Sequence, residues 1–592
     1  MNLNKLHPII ASALFFCVCF IFWGEIHPEA LSLQEQQQLF LFSTDYFWLR
    51  IGVAGGLADY VSEFVTQFYY YPTLGALLLS GVLLALQLTC WRIAKLHTEN
   101  QFSSALSFVP AVLMWGYMGD ENVLLSLPVA LIGVLIATLG VLKCNKLQLP
   151  ICIVALPLLY WLAGPTMIIS SIIIAISIAL KKRYLASVSI VAYTIVIFCV
   201  ARTFFLTQYT LNEALFGINY YRICQFVPKM QHIVVLTIAF LPFIALLFSK
   251  IRNNKPLIAM YVLIVVGGAT WINKNFDTDK YHIFKYNHLV RAEKWTEIIA
   301  YAEKYPLKHP MACNAVNLAL GMTGQLGERM FSFPQCGSNA LVSKFDRTSL
   351  TVLTSAEAFM RLGMVNEALR YFFDSQEAIP NCRKSGRMMR RMAECNIING
   401  RYEVARKYLT VLKQSLFYST WAKNAEQMLY NETAIDKHPV WGRIRQIRYN
   451  EDFVYNYYEM DKMFGILYQQ NNSNHLAYQY FVGQQLLVRN LHDFIAYTPW
   501  ILQQYGYVPQ SYQQAIALAW SQGHSNWDNM PIEISSDVKT KLMDFAQIYS
   551  QNPNSKQLQQ QYQNTYWYYC LVQKPNIDAQ TGATQTITTH KK

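Results

Sequence analysis

Four carboxylates and three cations stand in polar segments where a membrane-embedded site could use them. Glu35, in Gln-Glu-Gln-Gln-Gln, and Asp45, in Thr-Asp-Tyr-Phe, share one long segment, while Asp120 and Glu121 are adjacent in a short one. Arg202, Arg222 and Lys229 are spread along a third. A carboxylate can take a proton from an attacking hydroxyl or hold a cation, and an arginine where a span meets the headgroups suits a phosphate. The plain alternative is that these are ordinary loop acids and headgroup-level bases.

The segment Glu25 to Pro72 is unusually long beside its short neighbours. From Leu57, Tyr60, Val61, Phe64 and Phe68 share one helical face and Asp59, Glu63 and Gln67 the other, which predicts an amphipathic helix at the membrane surface. An aromatic belt, Phe68 to Tyr71, follows it, and Pro72 starts the next apolar run. Other chemistries lack their motifs. The chain has no Gly-x-x-x-x-Gly-Lys-Ser/Thr, no Gly-x-Gly-x-x-Gly, no His-Glu-x-x-His, no Gly-x-Ser-x-Gly and no Cys-x-x-Cys. Asp277-Thr-Asp279 looks like the metal triplet of soluble glycosyltransferases, but directly after an apolar run it reads as a solvated linker.

The elements that position these residues are apolar runs of membrane-spanning length: Ile9 to Gly24, Thr73 to Trp91, Ala105 to Met118, Val123 to Leu142, Pro150 to Ala163, Thr166 to Leu180, Tyr184 to Ala201, His232 to Ser249 and Leu257 to Ile272. Charge placement tests that count independently, because cytoplasmic joints collect Lys and Arg. With the N-terminus inside, the inner joints hold Lys5, then Arg92 and Lys95, then Lys143 and Lys146, then Lys181 to Arg183, then Lys250, Arg252 and Lys255. The short outer joints around Asp120 and Gly164 hold none. A cleaved signal peptide in place of the first span is the alternative, and no small-x-small site follows that span. The net charge of +13 is spread over both halves, so it reads as topology and not as a nucleic-acid footprint.

After about Asn275 no such run recurs, and the chain becomes a helical array. Leu362 to Ala368 (Leu-Gly-Met-Val-Asn-Glu-Ala) resembles a tetratricopeptide repeat: Gly363 at the interhelix turn, Ala368 for close packing, Pro380 ending the second helix. Gly400 with Ala405 repeats the pair; Gly324, and Ala292 to Trp295, sit upstream at a similar interval, and beyond Pro439 helix pairs such as Leu476 to Phe494 and Gln510 to Trp520 remain. Stacked repeats form a solenoid whose surface binds a protein or glycan partner or merely caps the membrane half. The expected architecture is all-α: a polytopic membrane domain over 1–275, a repeat domain on the non-cytoplasmic side over 276–573 and a disordered tail over 574–592. Cys382 with Cys395 is the first candidate disulfide, with free thiols as the equal alternative.

The outer carboxylates over a polytopic domain resemble the membrane glycosyltransferases of the C-type fold, which use polyprenyl-phosphate sugars. That resemblance implies Glu35 or Asp45 as a first-loop carboxylate, Asp120 and Glu121 as a second-loop pair, Arg202, Arg222 and Lys229 at the lipid phosphate, and a divalent cation as an admissible cofactor. As a whole the chain is similar to an uncharacterised family of bacterial inner-membrane proteins, through Gly56-Leu-Ala-Asp-Tyr60, Asn317-Leu-Ala-Leu with Gly324 to Phe331, and Thr565 to Tyr569. The readings rank as a glycosyltransferase, then a non-catalytic envelope scaffold, then a transporter. The near absence of mid-span charges speaks against transport.

Overall fold

A computed structural model describes residues 3–573 apart from 99, 145–146, 224–226, 250, 252–254, 346–352, 381–382 and 452–454, and it is helical throughout. Lys146, Cys224, Lys250, Arg252, Cys382 and the tail 574–592 lie outside the described residues. The chain forms two compact units. The first comprises 1–281 with two short later segments, 380–386 and 411–420; the second comprises 282–379, 387–410 and 421–592. A cut at 275 would therefore remove two pieces from the membrane unit.

The first unit contains α1 (Leu3–Ile21), α2 (Pro28–Glu35), α3 (Thr44–Ile51), α4 (Gly56–Thr66), α5 (Pro72–Lys95), α6 (Phe102–Tyr117) and α7 (Ser126–Lys143). It continues with α8 (Gln148–Ala163), α9 (Met167–Leu180), α10 (Tyr184–Phe204), α11 (Leu211–Phe216), α12 (Lys229–Ala239), α13 (Leu241–Ser249) and α14 (Lys255–Asn275). Among the described residues six helices are long and apolar enough to cross a bilayer, or seven if α12 and α13, bent by 50°, make one broken span. This chain is a multi-pass membrane protein by that measure. The nine expected segments are all helical, but α6 has only 16 residues, and 148–180 forms a single apolar stretch of 33.

Within that stretch the chain turns back at Gly164, whose φ of +66° is open to glycine and strained for other residues. Ala163 and Trp161 offer carbonyls to Tyr220 Oη and to Gly55 N, whereas Ser177 reaches His97 beyond the far end of α5 (3.1 Å). Joints gather at two ends in the same way. Asn100 donates to the carbonyls of Ser249 (3.1 Å) and Ile251 (2.8 Å) at one end, and Tyr221 donates to Asp120 (2.8 Å) at the other.

Leucines, isoleucines and valines of α10 and α14 point away from the protein, Leu185 being 88% exposed, as a lipid-facing surface requires. Between helices, buried polar groups meet one another: Gln87 on α5 accepts from Ser12 on α1 (3.0 Å) and donates to Ser107 on α6 (2.7 Å), and Thr138 on α7 pairs with Ser170 on α9 (2.7 Å).

The second unit is built of helix pairs. Gly324, Gly363 and Gly400 occupy interhelix turns with φ of +73°, +87° and +72°, and Ala368 and Ala405 are fully buried behind them. Helix Val365–Glu377 ends just before Pro380. A buried ionic knot, not foreseen from the sequence, crosses this unit: Glu357 meets Arg361 (2.7 Å), Arg387 (3.1 Å) and Arg391 (3.0 Å). Cys395 is a buried free thiol; the close pair of sulfurs is instead Cys313 and Cys336, both free, at 3.2 Å.

Candidate functional site

The amphipathic helix expected in the first outer segment is α4, but its polar face is turned inward. Asp59 and Glu63, one turn apart, are fully buried, while Val61 and Phe64 are each 39% exposed. Carboxylates on an element bordering lipid are stable only on the protein side, where partners neutralise them. Here the partners are guanidinium groups. Arg383, itself 1% exposed, sends one nitrogen to Asp59 (2.7 Å) and the other to Glu63. Arg50, in the last turn of α3, reaches Glu63 at 3.0 Å, and Tyr46 also donates to Glu63. The local formal charge of these four ionisable side chains is therefore balanced.

The chain around Arg383 is held to the first outer segment by backbone pairing: Leu39 N donates to Lys384 O (2.7 Å) and Phe42 N to Gln414 O (2.8 Å). Glu35, at the end of α2, is buried and accepts from Tyr418 Oη (2.8 Å). Tyr70, in the aromatic belt after α4, stacks on Phe417 with rings 5.2 Å apart and 7° from parallel.

A second set of polar residues lies in the turn between α6 and α7. Asp120 Oδ1 accepts from Asn122 N (2.9 Å), closing the turn, and Oδ2 accepts from Tyr221. Glu121 pairs with Lys280 (2.5 Å), and its other oxygen, buried, has no hydrogen-bond partner among the described residues. Burial pushes the Glu121 carboxyl upward, against the pull of Lys280. This turn is zipped to residues 219–222, with Leu124 N donating to Tyr220 O (3.1 Å) and Arg222 N to Asn122 O (2.7 Å).

That zipper places Arg222, 3% exposed, between the two sets. Its Nη1 donates to Gln37 O in the first outer segment (3.4 Å), and its Nε and Nη2 find no partner among the described residues. Burial first, and then the nearby charge of Arg383, push its pKa down to about 9, with Glu121 and Asp120 opposing. The side chain is still a cation at neutral pH, short of both hydrogen-bond acceptors and counter-charge. An anion with two oxygens presented to it would supply both.

Of the residues anticipated from the sequence, Glu35, Asp120, Glu121 and Arg222 belong to this buried region. Asp45 does not: it is exposed in the first turn of α3. Arg202 is occupied in its own turn, donating to the carbonyls of Leu206 and Tyr209, and Lys229 is exposed at the start of α12. Asp59, Glu63, Arg50 and Arg383 were not anticipated. The i,i+4 spacing of Asp59 and Glu63 was a usable signal, since carboxylates next to an apolar surface in a membrane protein belong inside it. For Arg383, 324 positions from Asp59, no local signal exists.

The residues present do not fit a divalent cation. Asp59 and Glu63 are neutralised by arginines and Glu121 by lysine, and among the described residues no three His, Cys, Asp or Glu side chains converge as a metal cage. Beside the N-terminus of α4 there is an apolar cavity of about 500 Å³, lined by Val53, Ala54, Tyr160, Trp161, Val200 and Phe205 among others.

Over residues 3–573 the chain matches a family described as a family of unknown function, DUF6057. It belongs to that family. No curated protein and no solved structure matches it. DUF6057 membership thus covers both units and assigns no activity to either.

Proposed function

We propose that the membrane unit transfers a sugar from a polyprenyl-phosphate donor to a hydroxyl acceptor, with the buried region on the non-cytoplasmic side. The observation that carries this reading is Arg222: a buried guanidinium with two unpartnered N–H groups, beside an acidic pair whose Glu121 is shifted toward neutrality as a general base needs. The acceptor oxygen attacks the anomeric carbon, the bond from that carbon to the phosphate oxygen breaks, and Glu121 takes the acceptor's proton. The negative charge left on the lipid phosphate is met by Arg222. Asp120 acts by positioning, because both its oxygens are engaged by Asn122 and Tyr221. The apolar cavity next to α4 gives the lipid chain a place to lie.

The second reading, a non-catalytic envelope scaffold, is favoured by one observation: Asp59, Glu63 and Glu35 are bonded by the protein's own arginines and tyrosines, as in a clamp. Reconstituted vesicles containing a radiolabelled polyprenyl-phosphate hexose and a hydroxyl acceptor separate the two. Sugar transfer should be measurable, and Arg222→Met or Glu121→Gln should each lower it by about 100-fold or more while leaving the amount of inserted protein unchanged. A double variant Asp120→Asn, Glu121→Gln that fully complements the envelope phenotype of a deletion strain would rule the transferase out.

A further inference from the structure

A groove in the second unit has the makings of a saccharide site, on grounds independent of any catalysis in the membrane unit. It lies between helix Met460–Gln470 and helix Pro499–Tyr505, and its cavity is about 540 Å³. Its floor is a row of aromatic rings. Phe481 is buried, with its centroid 4.2 Å from that of Tyr497; Tyr497 in turn lies 6.1 Å from Trp500, the two planes only 10° apart. Trp500 is 39% exposed at the open end. Gly465 keeps the near wall thin, since a Cβ there would come within 3.2 Å of the Phe481 ring. Around the rings stand Gln469, Asn472 and Gln503, all exposed, with no hydrogen bond to the protein among the described residues.

We infer that this groove binds a neutral oligosaccharide, its sugar faces on Tyr497 and Trp500 and its hydroxyls on the three amides. A hexose ring presents a flat C–H face and an edge of hydroxyls. The exposed Trp500 ring, with the half-buried Tyr497 ring near-parallel to it, matches the face. A hydroxyl both donates and accepts, and a primary amide side chain offers both functions in one plane. The other ligand classes match less well. Among the described residues the groove is lined by no carboxylate that would recognise a cation, and the one lysine lining it, Lys462, is already paired with Glu459. A wholly apolar ligand would strand the amides. A proline-rich peptide also docks on aromatic grooves, but its backbone supplies carbonyl acceptors with few N–H donors, so only half of each amide would be used.

The test uses the full-length protein in nanodiscs prepared without sugar-headed detergent, titrated calorimetrically with cellohexaose, chitohexaose and α-linked mannohexaose. At least one of the three should bind saturably. Trp500→Ala should weaken that binding by about tenfold or more, with Trp500→Phe recovering part of it. Gln503→Ala should weaken it as well, while Phe373→Ala, an exposed aromatic elsewhere in the unit, should not. Both Trp500 and Gln503 are exposed, and unchanged far-ultraviolet dichroism would verify that each variant folds. Failure of all three oligosaccharides to bind, binding indifferent to Trp500→Ala, or displacement by a proline-rich peptide in place of a sugar would each overturn the inference. None of these outcomes depends on whether the membrane unit transfers sugar.

Discussion

Arg383 bridges the two buried carboxylates of α4, and together with Arg50 it balances their charge. Removing it leaves Asp59 and Glu63 with only Arg50 between them, and an uncompensated buried charge costs about 3–5 kcal/mol. Arg383→Gln should therefore lower the melting temperature of the purified protein in micelles markedly and reduce its yield. The double variant Arg383→Met, Asp59→Asn should recover much of the loss, since it removes one charge of each sign and leaves Glu63 paired with Arg50. A melting temperature untouched by Arg383→Gln would mean that water or lipid headgroups reach these carboxylates. At this scale the sequence was only partly legible. Glu35, Asp120, Glu121 and Arg222 could be picked out because acids and bases between apolar runs are conspicuous. Asp45 and Lys229 were conspicuous for the same reason, yet they are solvent-facing, and residue type alone does not distinguish the two cases.

At the scale of elements, α4 and the Glu357 knot show what periodicity can and cannot convey. The period of α4 was plain, but which of its two faces turns inward depends on the medium outside. In water the apolar face goes in; beside lipid the carboxylates do. In the second unit the turn glycines 324, 363 and 400 were readable, because each sits where the backbone takes a positive φ. The knot was readable only in its i,i+4 pair, Glu357 with Arg361, since Arg387 and Arg391 come from another helix that meets this one only after folding. Burial raises the Glu357 carboxyl, but Arg391, Arg361 and Arg387 outweigh it and hold the group well below the ordinary carboxylate range. A carboxyl depressed on folding adds stability that is whole above its unfolded pKa, about 4.3, and drains away as pH falls below it. Glu357→Gln should cost about 3–5 kcal/mol at pH 7. Far-ultraviolet melting should also show the gap between wild type and variant narrowing below about pH 4. A gap that stays constant down to pH 2 would mean that Glu357 contributes nothing through its charge.

For the whole molecule, the alternation of basic and non-basic joints predicts that Asn275 emerges on the non-cytoplasmic side. Alkaline phosphatase fused after Asn275 should be active and a cytoplasm-only reporter there inactive; the reverse would demand an even number of crossings. Apolar runs revealed the membrane half because spanning length is written in contiguous residues. The way later segments enter that half is not, because 380–386 and 411–420 carry no apolar signature.

Those two late segments give the protein an order of assembly in time. At about 5–20 residues per second, the roughly hundred residues between Tyr281 and Arg383 take on the order of 5–20 s to synthesise. For that interval every apolar helix of the membrane unit already exists, yet Asp59 waits without its guanidinium and Glu63 has only Arg50. The nascent chain passes through a stage at which it is inserted but electrostatically incomplete. A ribosome that stalls before Arg383 leaves the apolar helices complete with Asp59 lacking its partner and Glu63 held by Arg50 alone.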